Sequence, residues 1–88
     1  MGMKIWILSD SKPGHLTQTR ALARSIELLT SATTTEVTLA GLSLLGKRRQ
    51  LLKEGAQGKP DLIIAAGHST HLSLLWAAHH FGAKSILA

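Results

Sequence analysis

Residues 4–9, KIWILS, form a near-continuous apolar run rich in strand-forming residues, and the run breaks at Asp10. A strand with one wet face alternates polar and apolar positions. A strand without that alternation must be covered on both faces, as in the parallel sheet of an α/β protein. The run therefore calls for helices on two sides of one sheet, and the rest of the chain supplies candidates. From His15 to about Leu29, Leu22, Ala23, Ile26 and Leu29 recur at helical spacing, while Arg20, Arg24 and Glu27 share the opposite stripe. Residues 30–34 read as a polar, β-branched break. TEVTLA, residues 35–40, reads as a short strand, thin enough in apolar content to lie at a sheet edge.

The second half repeats the alternation. Residues 42–54, LSLLGKRRQLLKE, carry leucine pairs at 44/45 and 51/52, seven apart on one helical face, and the glycines of EGAQGKP end that helix. DLIIAAG, residues 61–67, is the clearest strand. HSTHLSLLWAAHHFG follows as a helix, with Ser69 or Thr70 as N-cap and Gly82 as its stop, and KSILA opens a fourth strand. Strands alternating with helices imply right-handed β-α-β units. The expected fold is an open, mainly parallel, Rossmann-like α/β sheet with helices on both faces, in the order β-α-β-α-β-α-β.

With 88 residues the chain has room for one domain, which at this size buries about two-thirds of its unfolded surface. A composition 44% hydrophobic and 17% charged is that of a globular domain. The closing ILA is apolar and no helix follows to cover it. The expectation from the residues is a single domain, residues 1–88, whose chain stops inside a fold. The uncovered sheet should then self-associate or leave the isolated chain marginally stable.

No cysteine is present, so neither a disulfide framework nor a thiolate metal site is available, and a reducing compartment is expected. Strand-like residues begin at Lys4, leaving no space for a leader, and Trp6 stands where a myristoylation signal needs Ser or Thr. No apolar run approaches the roughly 20 residues of a membrane span. These readings favour a cytoplasmic protein, with at most peripheral contact with a membrane.

In open α/β sheets the ligand crevice lies beyond the carboxyl ends of the strands, where the strand order reverses. Two polar loops fall at such ends: SDSKPGH after the first strand and GHST after DLIIAA. Each leads into a helix whose first N–H groups carry a partial positive charge, a potential anion cradle. Gly14 and Gly67 would let backbone approach a ligand, Lys12 could neutralise an anionic group, His15 could carry a proton, and Asp10 could orient a hydroxyl or His15. The bland alternative is a Pro-Gly turn with a capping aspartate and a solvated histidine. The first loop is neither a P-loop, lacking Gly-Lys-Ser/Thr, nor a dinucleotide fingerprint, lacking three spaced glycines.

If the strand of residues 61–66 lies beside that of residues 4–9, in a 2-1-3-4 order, both helices point their N-termini into one crevice lined by Gly14, His15, Gly67, His68 and Ser69. A 3-2-1-4 order would set the Gly67 loop two strands away, roughly 10 Å or more.

WILSDSKPGH with Gln18, followed about 45 residues later by PDLIIAAGHST, resembles the start of the mitochondrial-fission ELM family, which usually reads Ser-Asp-Gly-Lys-Pro-Gly-His and Pro-Asp-Leu-Ile-x-x-Gly-Arg. The likeness spans most of this chain but only the front of the family, whose longer members are similar to GT-B glycosyltransferases with two Rossmann-like domains around a cleft. Ser11 departs from the usual glycine, and His68 from the usual arginine, which removes a permanent charge from the suspected anion site. The resemblance implies the acceptor-side part of an enzyme that transfers a sugar from a nucleotide donor. Lys12, Gly14 and His15 then face the acceptor, with His15 and Asp10 in catalytic roles and Lys12, Gly14, Gly67, His68, Ser69 and Thr70 binding substrate or anion. Most donor contacts belong to the second domain, so the isolated chain is expected to be inactive. A competing implication is a non-catalytic interaction protein of the same family, linked to membrane or organelle fission.

Other constellations are weaker. His68 and His71 share a helix face and His79 and His80 lie at its far end, without a carboxylate or thiolate beside them, so neither a metal nor another cofactor is expected. His79 and His80 suit the negative C-terminal end of a helix. The run GKRRQLLK, a net charge of +5 and a pI near 10.3 invite nucleic acid, but Trp6, Trp76 and Phe81 are the only aromatics and Trp6 reads as core. A nucleic-acid module is therefore the third reading, behind a solvated basic face.

Overall fold

The computed structural model describes residues 3–9, 13–39, 41–66 and 68–87, with side chains omitted for 13–16, 44, 68 and 69. Four strands and three helices alternate: β1 (Met3–Ser9), α1 (Pro13–Leu29), β2 (Ala32–Thr38), α2 (Leu44–Ala56), β3 (Leu62–Ala65), α3 (His68–Phe81) and β4 (Lys84–Leu87). All neighbours are parallel and the order is β2-β1-β3-β4. β1 is the hub, pairing with β2 from Met3↔Ala32 to Ser9↔Thr38 and with β3 from Ile5↔Leu62 to Leu8↔Ala65. The expected edge position of β2 and the 2-1-3-4 order are both found.

The apolar run of β1 is buried on two sides, as its lack of alternation required. Ile5 and Ile7 join Leu62, Ile64 and Ala23 in one cluster beneath α1. Trp6 and Leu8 point the other way, into a larger cluster with Val37, Leu39, Leu51, Ile63, Leu74 and Ala77, covered by α2 and α3. Period-2 alternation along each strand produces this division. Right-handed crossovers running in opposite directions across the sheet, from β1 to β2 and then from β2 back past β1 to β3, put α1 on one face and the later helices on the other.

Several boundaries differ from the sequence reading for physical reasons. α1 starts at Pro13 rather than His15; proline suits a first helical position because its fixed φ is already helical and no N–H is lost there. β2 starts at Ala32 rather than residue 35, since Thr33 and Thr34 are strand residues in register with Lys4 and Ile5 and not a break. It ends at Thr38, and Leu39 remains buried while its N–H reaches Ser9 O at 2.9 Å. α2 begins at Leu44 because Ser43 caps it, the hydroxyl accepting from the Gly46 N–H at 3.1 Å. Gly55 does not end α2; the helix runs on to Ala56. A Cβ at Gly55 would lie 2.5 Å from Cε1 and Cζ of Phe81, so this glycine permits α2 and α3 to touch. Gly82, as read, stops α3: its φ is +66°, and the Ala83 N–H bonds back to Ala78 O at 3.0 Å.

Two burial expectations fail. Of the leucine pairs on α2, Leu51 is fully buried while Leu45 and Leu52 face out, and the Leu44 side chain is outside the described residues. Adjacent helical positions are about 100° apart, so a partner on one side cannot bury both members of a pair. Leu29 is 85% exposed although it follows Ile26 at helical spacing. It is the last residue of α1, and beyond it the Thr30 N–H still bonds to Ile26 O while the chain turns into β2.

Candidate functional site

β1 and β3 run side by side, their last paired residues being Leu8 and Ala65. Strands in such a pair lie about 4.8 Å apart. From these adjacent ends the chain proceeds to α1 on one face and α3 on the other. The sheet order thus reverses between β1 and β3, which is the position where open α/β sheets form a ligand crevice. Each helix also aims the positive end of its dipole toward the carboxyl edge of the sheet, because each runs antiparallel to the strands it connects.

Asp10, Lys12 and Gly67 lie outside the described residues. Gly14 and His15 fall in the first turn of α1, and His68 and Ser69 in the first turn of α3, at the edge where the sequence placed them; their side chains are outside the described residues. Ser69 and Thr70 are inside α3 and not at its cap, since the helix already begins at His68. Thr70 is 1% exposed, and its hydroxyl donates to Ala66 O at 3.1 Å. This bond ties the first turn of α3 to the end of β3, so the hydroxyl holds the loop's exit in place.

Two further hydroxyl residues, Ser9 at the start of SDSKPGH and Thr19 in α1, are buried. Ser9 closes β1 and is 7% exposed, and Thr19, two turns into α1, is 1% exposed; neither hydroxyl residue is without a partner. A serine ending an otherwise apolar strand is the signal available for Ser9. Thr19 carries none, because its burial follows from how α1 lies on the sheet.

The Arg20 guanidinium donates through Nε and a terminal nitrogen to both oxygens of Glu36, each at 2.8 Å, joining α1 to β2. This bidentate bond raises the Arg20 pKa and holds the Glu36 carboxyl below its usual value. Thr34 donates to Glu27 beside it. These groups and Arg24 line an open recess of about 350 Å³. Through Arg20 and Glu27, the polar stripe of α1 therefore docks the helix onto the edge strand.

Among the described residues, no three His, Cys, Asp or Glu side chains come together as a metal site. No described helix is long and apolar enough to cross a membrane. Comparison with protein-family models, with curated proteins and with solved structures returned no match.

Proposed function

We propose that the carboxyl edge shared by β1 and β3 is an anion-binding crevice, and that it belongs to the acceptor-side domain of a GT-B-type glycosyltransferase that uses a nucleotide-sugar donor. The observation that supports this most directly is the pairing of β1 with β3, which sets the carboxyl ends of these strands, and the starts of α1 and α3 that follow them, at one reversal point in the sheet. The likeness of WILSDSKPGH and PDLIIAAGHST to the ELM family adds the reaction class. In this reading Lys12 and the amides of the two helix starts hold an anionic group, and His15 removes or donates a proton at the acceptor, oriented by Asp10. Thr70 has a positioning role through its bond to Ala66 O. The enzyme is the full-length gene product, and the 88-residue chain by itself lacks activity.

The test incubates that full-length product with a panel of sugar nucleotides and measures nucleotide release. One donor should be consumed. His15→Ala should then lower kcat by about 10²–10⁴-fold, the usual contribution of a general acid or base, and Lys12→Ala should raise KM. Consumption of no donor, with a correctly folded protein, would refute the transferase reading and leave the non-catalytic interaction protein of the same family. That second reading has its own support in the exposed apolar surface of α2 and α3.

A further inference from the structure

The outer surface of α2 and α3 carries apolar side chains that the fold does not use. Leu45 and Leu52, seven residues apart on α2, are 71% and 45% exposed, and on α3 Leu72 and Leu75 are 68% and 51% exposed. Between the helices lies an open groove of about 540 Å³ whose walls include Leu45, Leu52 and Trp76, together with Arg48 and Arg49. The Arg48 guanidinium sits over the Trp76 ring, 5.5 Å from its centroid, and His80 stacks on that ring at 4.9 Å. Contiguous exposed leucines around an aromatic and two arginines have the composition of a binding hot spot rather than of an ordinary solvated face.

Charge determines what could cover it. α2 carries Lys47, Arg48, Arg49 and Lys53 against a single carboxylate, Glu54, which accepts a hydrogen bond from Gln50. α3 contains no acidic residue. Leu45 and Leu52, two turns apart along the groove beside Trp76 and flanked by cations, match a short helix whose own face bears apolar residues at i, i+3, i+4 and i+7 and whose margins are acidic.

We propose that this groove is the docking site for an acidic amphipathic helix of a partner protein. The partner's leucine-like side chains sit between Leu45, Leu52 and Trp76, and its carboxylates pair with Arg48 and Arg49. Pairing at the rim chiefly sets the association rate and selects against basic partners, while the apolar ridge holds the complex.

The probe is a fluorescent peptide of Leu and Glu in the helical pattern above, about 15–18 residues long so that it can form a helix. Its binding to the 88-residue chain is measured by anisotropy. Saturable binding is expected, with a scrambled Leu/Glu peptide of equal charge and a patterned Leu/Lys peptide each at least about tenfold weaker, equivalent to roughly 1.4 kcal/mol. Arg48→Glu with Arg49→Glu should cost a further loss of about tenfold or more, and Leu52→Ser a smaller one, with far-UV circular dichroism unchanged because all three side chains are exposed. Should the charge reversal disturb folding, Arg48→Ala with Arg49→Ala gives the same comparison. Equal affinity for the scrambled or basic peptide, or indifference to both arginine changes, overturns the proposal. So does absence of peptide binding, whether the chain instead sediments with phosphatidylserine vesicles or pairs with a second copy of itself through this face.

Discussion

The two faces of the sheet are built from the same strands by different means. The face under α2 and α3 is apolar across its width, from Val37 and Leu39 at β2 through Trp6 and Leu8 to Ile63 and Ala65, and aromatic rings tighten it: Trp6 meets Phe81 edge-on at 5.2 Å. The face under the single helix α1 is apolar over β1 and β3, with Ile86 of β4 and Ala32 at the start of β2 at its margins. Over β2 it changes to the Arg20–Glu36 pair and the Thr34–Glu27 hydrogen bond. One face is held by area and shape, the other partly by directed polar contacts that water and salt weaken. The stronger face also carries a cost, since the Trp6 indole N–H is buried there with no acceptor among the described residues. An unmet buried donor costs roughly 1–3 kcal/mol, which the packing around the ring has to exceed.

If that contrast is right, Trp6→Ala should do the most damage. Truncating a fully buried tryptophan costs about 3–5 kcal/mol, much of the stability of an ordinary small domain, and circular dichroism should find the variant largely unfolded at room temperature. Ile5→Val on the opposite face should cost about 0.5–1.5 kcal/mol and leave a cooperative melt. Similar losses from both would end the distinction between the faces.

Gly55→Ala tests how closely the two helices of the stronger face approach. Alanine normally gains about 0.8–1.0 kcal/mol over glycine inside a helix, but here its Cβ would meet the Phe81 ring, which Trp6 and His80 already confine. Overpacking of this kind costs about 1–3 kcal/mol, so a lower denaturation midpoint is expected. In a Phe81→Leu background the same change should become neutral or stabilising. A gain in the native background would show that the ring yields freely.

The smallest effect belongs to the polar side of the α1 face. Because Glu36 has a depressed pKa in the folded chain, its contribution is complete above its unfolded value of about 4.3 and disappears as pH falls through the lower folded value. Arg20→Gln should therefore narrow the difference between urea midpoints at neutral pH and at pH near 3. The change should be slight and reduced by salt, since both groups are exposed. An unaltered pH dependence would show that the pair adds nothing to this face.

What was legible in the sequence follows from the same physics. Burial on two faces leaves an unbroken apolar run, so β1 and β3 could be read directly, and alternation with helices fixed the sheet type. β2 was misread at its start because Thr33 and Thr34 look polar in a list but have the branched shape a strand accepts. Which leucine of each α2 pair turns inward, and that Gly55 serves contact rather than termination, depend on where α3 lies, and no local pattern encodes that. At the candidate site, the adjacent ends of β1 and β3 and the helix starts that follow them were expected from the alternation and the 2-1-3-4 order. The direction of the Thr70 hydroxyl and the burial of Ser9 and Thr19 were not, because each depends on a neighbour brought in by the fold.

The central position of β1 also bears on how the chain is made. The ribosome releases this strand first, yet its second partner, β3, lies about 50 residues further on. At about 5–20 residues per second that interval is roughly 3–10 s, during which Ile5, Trp6, Ile7 and Leu8 have at most one flank paired. A nascent chain displaying such a segment is a natural client for chaperones that hold short apolar stretches. Slower translation between β2 and β3 would lengthen its exposure, whereas the same pause after β3 would cost little. Synonymous codon changes in that interval could therefore alter yield without changing any residue of the finished protein.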